Sequence, residues 1–284
     1  MELIKSWKTC GGELRRYKHA SAATAGAMTF AVFLPPGAVS APILYFLSGL
    51  TCSDENFSQK AGAAFPAAAA AGIAIVLPDT SPRGEAVAAI EGVAAAWDFG
   101  LGAGFYVDAT QAPYAAHFRM ATYVTEELPA LLRAHLGAEL DVGRAAISGH
   151  SMGGLGALAC ALRRPGAYRS ASAFAPIAHP SACPWGRKAF SGFLGADEAA
   201  WAAYDPTALV AAYKGPALHL KIVCGTADDF YKQGQLLPED FAAAAKAAGV
   251  AVDLALEEGY DHSYFFVNSF IAEHVQHHAK HLKA

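Results

Sequence analysis

Residues 145–158, Ala-Ala-Ile-Ser-Gly-His-Ser-Met-Gly-Gly-Leu-Gly-Ala-Leu, constrain this chain more than any other stretch. A short apolar run meets Gly149-His150-Ser151-Met152-Gly153 and passes at once into an alanine-rich helical pattern. That is a G-x-S-x-G motif in a strand–turn–helix setting, the context in which it marks a nucleophile. A turn this sharp strains the backbone at the serine, and a Cβ at Gly149 or Gly153 would collide with the neighbouring strand or helix. Ser151 Oγ is thereby held out over a sheet end, with the first N–H groups of the new helix pointing at the same spot. On the pentapeptide alone, a glycine-rich turn in an ordinary α/β protein remains open, so a second signal has to decide.

The rest of the chain alternates strands and helices. Residues 13–19 and 28–34 read as two strands ended by Pro35-Pro36, an antiparallel hairpin at the sheet edge. Residues 43–47, Ile-Leu-Tyr-Phe-Leu, form a continuous apolar run, as expected of a strand buried on both faces. A helix over 61–71 closes at Gly72 and leads to a strand over 73–77. Residues 85–113 hold glycines interleaved with aromatics from Trp97 to Asp108, which suggests a compact ordered loop. A helix over about 114–136 interrupted by Pro129 leads to the motif strand, and a helix over 153–163 follows it. A strand over 170–174, an irregular stretch through Cys183-Pro184-Trp185-Gly186, a strand over 218–224, a helix over 239–248, a strand over 251–256 and a last helix complete the reading. This rhythm builds a mostly parallel central sheet flanked by helices. With 284 residues, 54% apolar composition and no linker, one α/β domain over 1–284 is expected.

Charge and cysteine content narrow the classes. The 21 basic and 25 acidic residues are spread along the chain, and no basic tract suggests nucleic acid. The start has no charged segment followed by an apolar one, and the longest uncharged run, 61–77, is mostly alanine and broken by Gly62, Pro66 and Gly72. Neither a secretion signal nor a membrane span is therefore expected. Five cysteines at unrelated spacings argue for free thiols in a reducing compartment, hence the cytoplasm.

The second signal is order along the chain. α/β-hydrolases place serine, acid and histidine in that sequence, each on a loop after the carboxyl end of a strand. Ser151, then Asp228 or Asp229 after the 218–224 strand, then His262 after the 251–256 strand reproduce it. A neutral imidazole can take the serine proton during attack, and a carboxylate on its other nitrogen fixes the tautomer. The expected fold class is accordingly the α/β-hydrolase fold with an N-terminal antiparallel hairpin.

Several stretches together carry a closer likeness: 47–52 (Leu-Ser-Gly-Leu-Thr-Cys), 78–84 (Pro-Asp-Thr-Ser-Pro-Arg-Gly), 97–100 (Trp-Asp-Phe-Gly), 102–110, 125–129, 149–154, 183–186, 234–238 and 260–264 (Tyr-Asp-His-Ser-Tyr). On these the chain resembles the esterase D family of S-formylglutathione hydrolases over nearly its full length. The sequence departs at Leu155, where some relatives carry histidine, and at Ala227, where some carry a second aspartate. The resemblance puts the nucleophile on Ser151, the histidine on His262 and the acid on Asp228 rather than Asp229. It implies an oxyanion hole from the Met152 and Leu50 N–H groups and a narrow acyl pocket walled by Trp185. The implied reaction is hydrolysis of S-formylglutathione to formate and glutathione, a step in formaldehyde detoxification, by a homodimer.

Other readings stand beside these. A general short-chain carboxylesterase, or an acyltransferase delivering the acyl group to an acceptor other than water, would carry the same residues. So would a non-catalytic hydrolase-like binding protein, against which a complete Ser–Asp–His set argues. Cys52 is either a thiol near the site or a small buried filler, and Trp97 either borders the site or packs its loop. Arg83, Lys60, Arg187 and Lys188 are candidates for glutathione carboxylates, with nothing to choose among them. His274, His277, His278 and His281 recur at helical spacing; without a cysteine or an open site they read as a surface helix end rather than a metal site. No cofactor and no metal are expected.

Overall fold

The computed structural model describes residues 1–283. Its centre is a sheet of nine strands: β1 (Glu2–Thr9), β2 (Gly12–Ser21), β3 (Gly26–Leu34), β4 (Ala41–Leu47), β5 (Ala74–Pro78), β6 (Leu140–His150), β7 (Ser170–Phe174), β8 (His219–Gly225) and β9 (Val252–Glu257). They lie in the order β1-β2-β3-β5-β4-β6-β7-β8-β9. The first three strands pair antiparallel, β3 joins β5 antiparallel, and from β5 through β9 every pairing is parallel. This is the α/β-hydrolase arrangement. Every residue of β4, β5 and β7 is buried; β4 and β5 are the continuous apolar runs expected of strands covered by helices on both faces, and β7 carries Ser170 and Ser172 into that buried layer.

The hairpin of β2 and β3 forms as expected, but it is not the edge. β1 lies outside it, and seven of its eight residues are exposed on both faces. No alternation of apolar and polar residues therefore marks it. Lys5 and Lys8, and a bulge between Leu3 and Lys5, keep this unpaired edge from inviting another strand.

The helices depart from expectation at three places. The helix expected over 61–71 is two, Asn56–Lys60 and Ala64–Ala71. Asn268 of the last helix holds the break open: its amide donates to Lys60 O at 2.5 Å and its carbonyl accepts from Ala63 N at 3.3 Å. Both groups would otherwise be orphaned helix ends. Pro129 interrupts nothing. A 3-10 turn, Tyr114–Ala116, precedes a helical run from Met120 to Leu136 that passes through a π segment, Tyr123–Glu127, and Pro129 sits just after it. The true break is at 117–119, where the chain pairs instead with 107–109 through Ala109 N to Phe118 O (2.8 Å) and Met120 N to Val107 O (2.9 Å). After β7 the stretch read as irregular contains a helix, Pro184–Leu194, and two more follow, Glu198–Trp201 and Pro206–Ala211. Pro184 and Pro206 sit in the first helical turn, where a missing N–H costs nothing. The Cys183 thiol and the Asp205 carboxylate cap these helices.

The last helix, Tyr264–Leu282, corrects the reading of the terminal histidines. His274 and His278 are fully buried, facing β6 and β7 rather than water. No group of three or more metal-ligating side chains occurs among the described residues, and no helix among them is long and apolar enough to cross a membrane.

Candidate active site

The loops that follow β4, β6, β7, β8 and β9 all leave the same sheet edge, the carboxyl ends of the parallel strands. Ser151 stands between β6 and the helix Met152–Arg163 with φ 59° and ψ −119°, a strained conformation for a residue with a side chain. The glycines around it have no alternative. A Cβ on Gly149 would lie 2.1 Å from Gly153 O, and one on Gly153 would lie 1.9 Å from Leu47 O.

Asp228 and His262 reach the site on two loops that are fastened together. Thr226 N donates to Glu257 O and Ala227 N to Tyr260 O, each at 2.9 Å. This contact needs Gly225, whose Cβ would stand 2.1 Å from Tyr260 O. Asp228 is fully buried, and its Oδ1 accepts the amides of Phe230 (2.8 Å) and Tyr231 (3.3 Å). Its Oδ2 is left to accept from His262 Nδ1 at 2.5 Å. The carboxylate accepts and Nδ1–H donates in this contact, and in the neutral imidazole that leaves the lone pair on Nε2. Asp229, by contrast, turns outward, its side chain 82% exposed beside Lys232.

The His262 ring is gripped on two sides. Phe230 meets it edge-on at 4.9 Å between centroids, and His150 lies against it at 4.6 Å. Burial holds His150 well below the ordinary imidazole range, and a proton on His262 would lower it further, so it packs as a neutral ring. Ser151 Oγ makes no hydrogen bond to another described residue, and it lines the same cavity as His262. Serine–histidine contacts of this kind are often long without substrate and tighten when it binds.

That cavity measures about 250 Å³ and is walled by Leu50, Cys52, Trp97, Trp185, Phe230 and Tyr264 among others. The Leu50 and Met152 amides have no backbone acceptor among the described residues, Met152 because it opens a helix. The loop carrying Leu50 is braced from below. Thr80 Oγ1 (2.5 Å) and an Arg83 nitrogen (3.0 Å) donate to Cys52 O, Tyr106 Oη donates to Ser48 O (2.8 Å), and Thr51 N donates to Gly102 O (2.9 Å). The glycine-aromatic stretch is thus an ordered loop whose task is to hold its neighbour still.

This arrangement has close counterparts. The esterase family model described as "Putative esterase" matches residues 21–277. An S-formylglutathione hydrolase from Rattus norvegicus is 51% identical over 100% of both chains, and one from Arabidopsis thaliana is 49% identical over 99% of this chain and 97% of its own. The solved structure of an S-formylglutathione hydrolase from Agrobacterium tumefaciens superposes with a TM-score of 0.93 at 41% identity, covering 99% of this chain and 100% of that one. The chain belongs to the S-formylglutathione hydrolase family of esterases.

Within this family fold, the expected pocket residues lie around one cavity but differ in exposure. Trp185 is 7% exposed and packs on Phe230 at 4.6 Å, whereas Trp97 is 55% exposed and touches Trp185 edge-on at the rim. Cys52 is both of its readings at once: it lines the cavity and is buried, and burial pushes its thiol up, away from the reactive thiolate. Three of the four candidate cations already have partners: Arg83 with Asp79, Arg187 with Glu198 and Lys188 with Asp98. His150, Phe230, Tyr264 and Gly225 escaped the sequence reading. His150 stood inside the motif and could have been found there; Gly225 is marked only by a contact with a residue 35 positions on.

Proposed function

We propose that this enzyme hydrolyses S-formylglutathione to formate and glutathione through a formyl-serine intermediate, with Ser151, His262 and Asp228 as its catalytic residues. The observation that carries the reading is the 2.5 Å contact of His262 with a buried carboxylate, at a cavity that also holds a serine on a strained turn.

Ser151 Oγ attacks the formyl carbonyl while His262 Nε2 takes its proton, and the Asp228 carboxylate steadies the imidazolium. The carbonyl oxygen gains its charge between the amides of Met152 and Leu50, each worth on the order of 3 kcal/mol at the transition state. Collapse of the intermediate breaks the carbon–sulfur bond. A thiol has a pKa of about 8.5, so the sulfur leaves readily and the histidine proton completes glutathione. Water then attacks the formyl ester with His262 as base, and Ser151 recovers its proton from the imidazolium as formate departs. The formyl group has no side chain, and a cavity of about 250 Å³ closed by Trp185 and Phe230 suits it better than a long acyl chain.

The same reading takes the enzyme to act in formaldehyde detoxification in the cytoplasm, where its five free cysteines would stay reduced, and to work as a homodimer. The test is a thioester assay on the wild type beside Ser151→Ala, with fluorophosphonate labelling of both. Loss of turnover by a factor on the order of 10⁴ or more, together with loss of labelling, is expected. Labelling that persists in Ser151→Ala would sink the assignment.

A further inference from the structure

S-Formylglutathione carries two carboxylates and one ammonium on its tripeptide, and the cavity at Ser151 has no lysine, arginine or carboxylate in its wall to meet them. Tyr264 lines that cavity and also a second one of about 540 Å³, shared with Lys60, Ser263, Phe265 and Asn268. The two cavities therefore adjoin at Tyr264, which stands between the thioester end and the surface beside Lys60. A thioester sulfur and the glycine carboxylate are separated by at most about 7 Å of extended chain, so a receptor for that charge has to stand one side chain away from the catalytic cavity.

Lys60 is built for that position. Its backbone carbonyl is tied to Asn268 at 2.5 Å, and its Nζ stands 5.6 Å from the centre of the Tyr264 ring. Its charge reaches the Cys52 thiol on the cavity wall, where it opposes the effect of burial. Among the described residues it has no carboxylate partner, unlike Arg83, Arg187, Lys188 and Lys232 around the same edge. Next to it Phe265 is 86% exposed, an apolar surface for the methylene stem of a bound peptide. A cation without a counter-ion, over an aromatic ring, beside an exposed phenyl group, complements an anion on an otherwise thin chain.

We propose that Lys60, with Tyr264 and Phe265, forms the subsite that receives a carboxylate of the glutathionyl leaving group. The proposal rests on the thioesterase reading above and names where its substrate's charge is recognised. It makes Lys60 a specificity residue for the tripeptide, with no part in bond making or breaking.

The experiment compares kcat/KM for S-formylglutathione with that for the uncharged S-formyl thioester of N-acetylcysteamine, as a ratio in each variant. Lys60→Met lowers the ratio about fivefold, Lys60→Glu lowers it further, and Lys60→Arg keeps it within about twofold. The wild-type ratio falls as salt rises and the Lys60→Met ratio does not. Because both substrates are measured on one preparation, partial misfolding cancels. S-Formylglutathione esterified at its glycine separates the two sources of charge. If it has lost the Lys60 dependence, the glycine carboxylate is bound; if it keeps the dependence, the γ-glutamyl carboxylate is. A ratio that does not move in Lys60→Met and Lys60→Glu overturns the subsite. A wild type that turns over the uncharged thioester but leaves S-formylglutathione intact would instead overturn the reading of its function.

Discussion

The molecule contains two serine–histidine clusters near β6 and the last helix, the second of them also drawing on β7, and only one of them is equipped for the proposed catalysis. Ser151 follows β6 and His262 precedes the last helix; Ser148 lies within β6, and His274 and His278 lie within that helix. In the second cluster Ser172 Oγ is bonded to Ser148 Oγ (2.8 Å), His278 Nε2 (2.8 Å) and His274 Nδ1 (2.9 Å), and Ser170 Oγ holds His278 Nδ1 at 2.8 Å. A hydroxyl has one proton to donate and two lone pairs, so Ser172 is saturated by its three partners. All five side chains are sealed from solvent, and no carboxylate takes part. The cluster proposed as catalytic differs in each respect: its serine is on a strained turn with a free hydroxyl, its histidine has a buried carboxylate behind it, and both face a cavity. The residue types are the same. What separates a nucleophile from a structural peg is the carboxylate, the strain and the opening to substrate.

The largest effect expected from breaking that contrast is at Asp228. Asp228→Asn leaves the shape of the site but lets the amide donate, so His262 Nδ1 is driven to the wrong tautomer and Nε2 loses its lone pair. A fall in kcat on the order of 10⁴ is expected, the cost of this exchange in a serine protease triad. Steady-state thioester kinetics read it, and a fall of tenfold or less would mean that the carboxylate only orients the ring. No such change is expected on the rate from the second cluster. There Ser172→Ala leaves His278 Nε2, His274 Nδ1 and Ser148 Oγ without a partner, and each unsatisfied buried group costs about 1–3 kcal/mol. A drop of roughly 2–4 kcal/mol in unfolding free energy by urea titration, with kcat/KM within about twofold of wild type, would mark the cluster as a fastening of the last helix to the sheet. Loss of activity without loss of stability would contradict it.

The contrast also shows what could be seen in the chain beforehand. β4, β5, β7 and β8 were legible to within two residues from short, largely uncharged runs between turn residues, whereas of β6 only the apolar end before the motif was read, five residues short of its start at Leu140. β1 was not, since a strand wet on both faces has no pattern to betray it. The helix opening at Pro184 was read as irregular and Pro129 as an interruption, because proline stops a helix from within yet starts one well, whereas the helix opening at Pro238 was read. In the candidate site, Ser151 and His262 were marked by their motifs, whereas Asp228 and Asp229 were separable only by family likeness until the loop direction was known. The brace under Leu50 and the Gly225 contact are backbone interactions between distant residues, and these leave no local signature. The terminal histidines misled for the same reason: the serines that bury them lie more than 100 positions upstream.

The smallest expected effect is the one that separates the clusters by pH. His274 and His278 are held well below the ordinary imidazole range by burial, with the charges of neighbouring His277, His281 and Lys221 adding to it. Unfolded, each takes a proton near pH 6.5, whereas folded they stay neutral to lower pH. Between those limits the unfolded chain binds more protons than the folded one, so stability is whole above about pH 6.5 and declines as pH falls below it. Each imidazole contributes a slope of at most about 1.4 kcal/mol per pH unit. His150, and to a lesser degree His19, are depressed by burial in the same way and add to the total. The informative quantity is therefore the difference between proteins. In urea titrations from pH 7.5 to 5.0, His278→Gln should be less stable than wild type at the upper end. It should also lose stability less steeply below pH 6.5, by up to one proton's worth, so that the two curves converge. Parallel curves would show that His278 is protonated equally in both states, and would reduce the second cluster to packing.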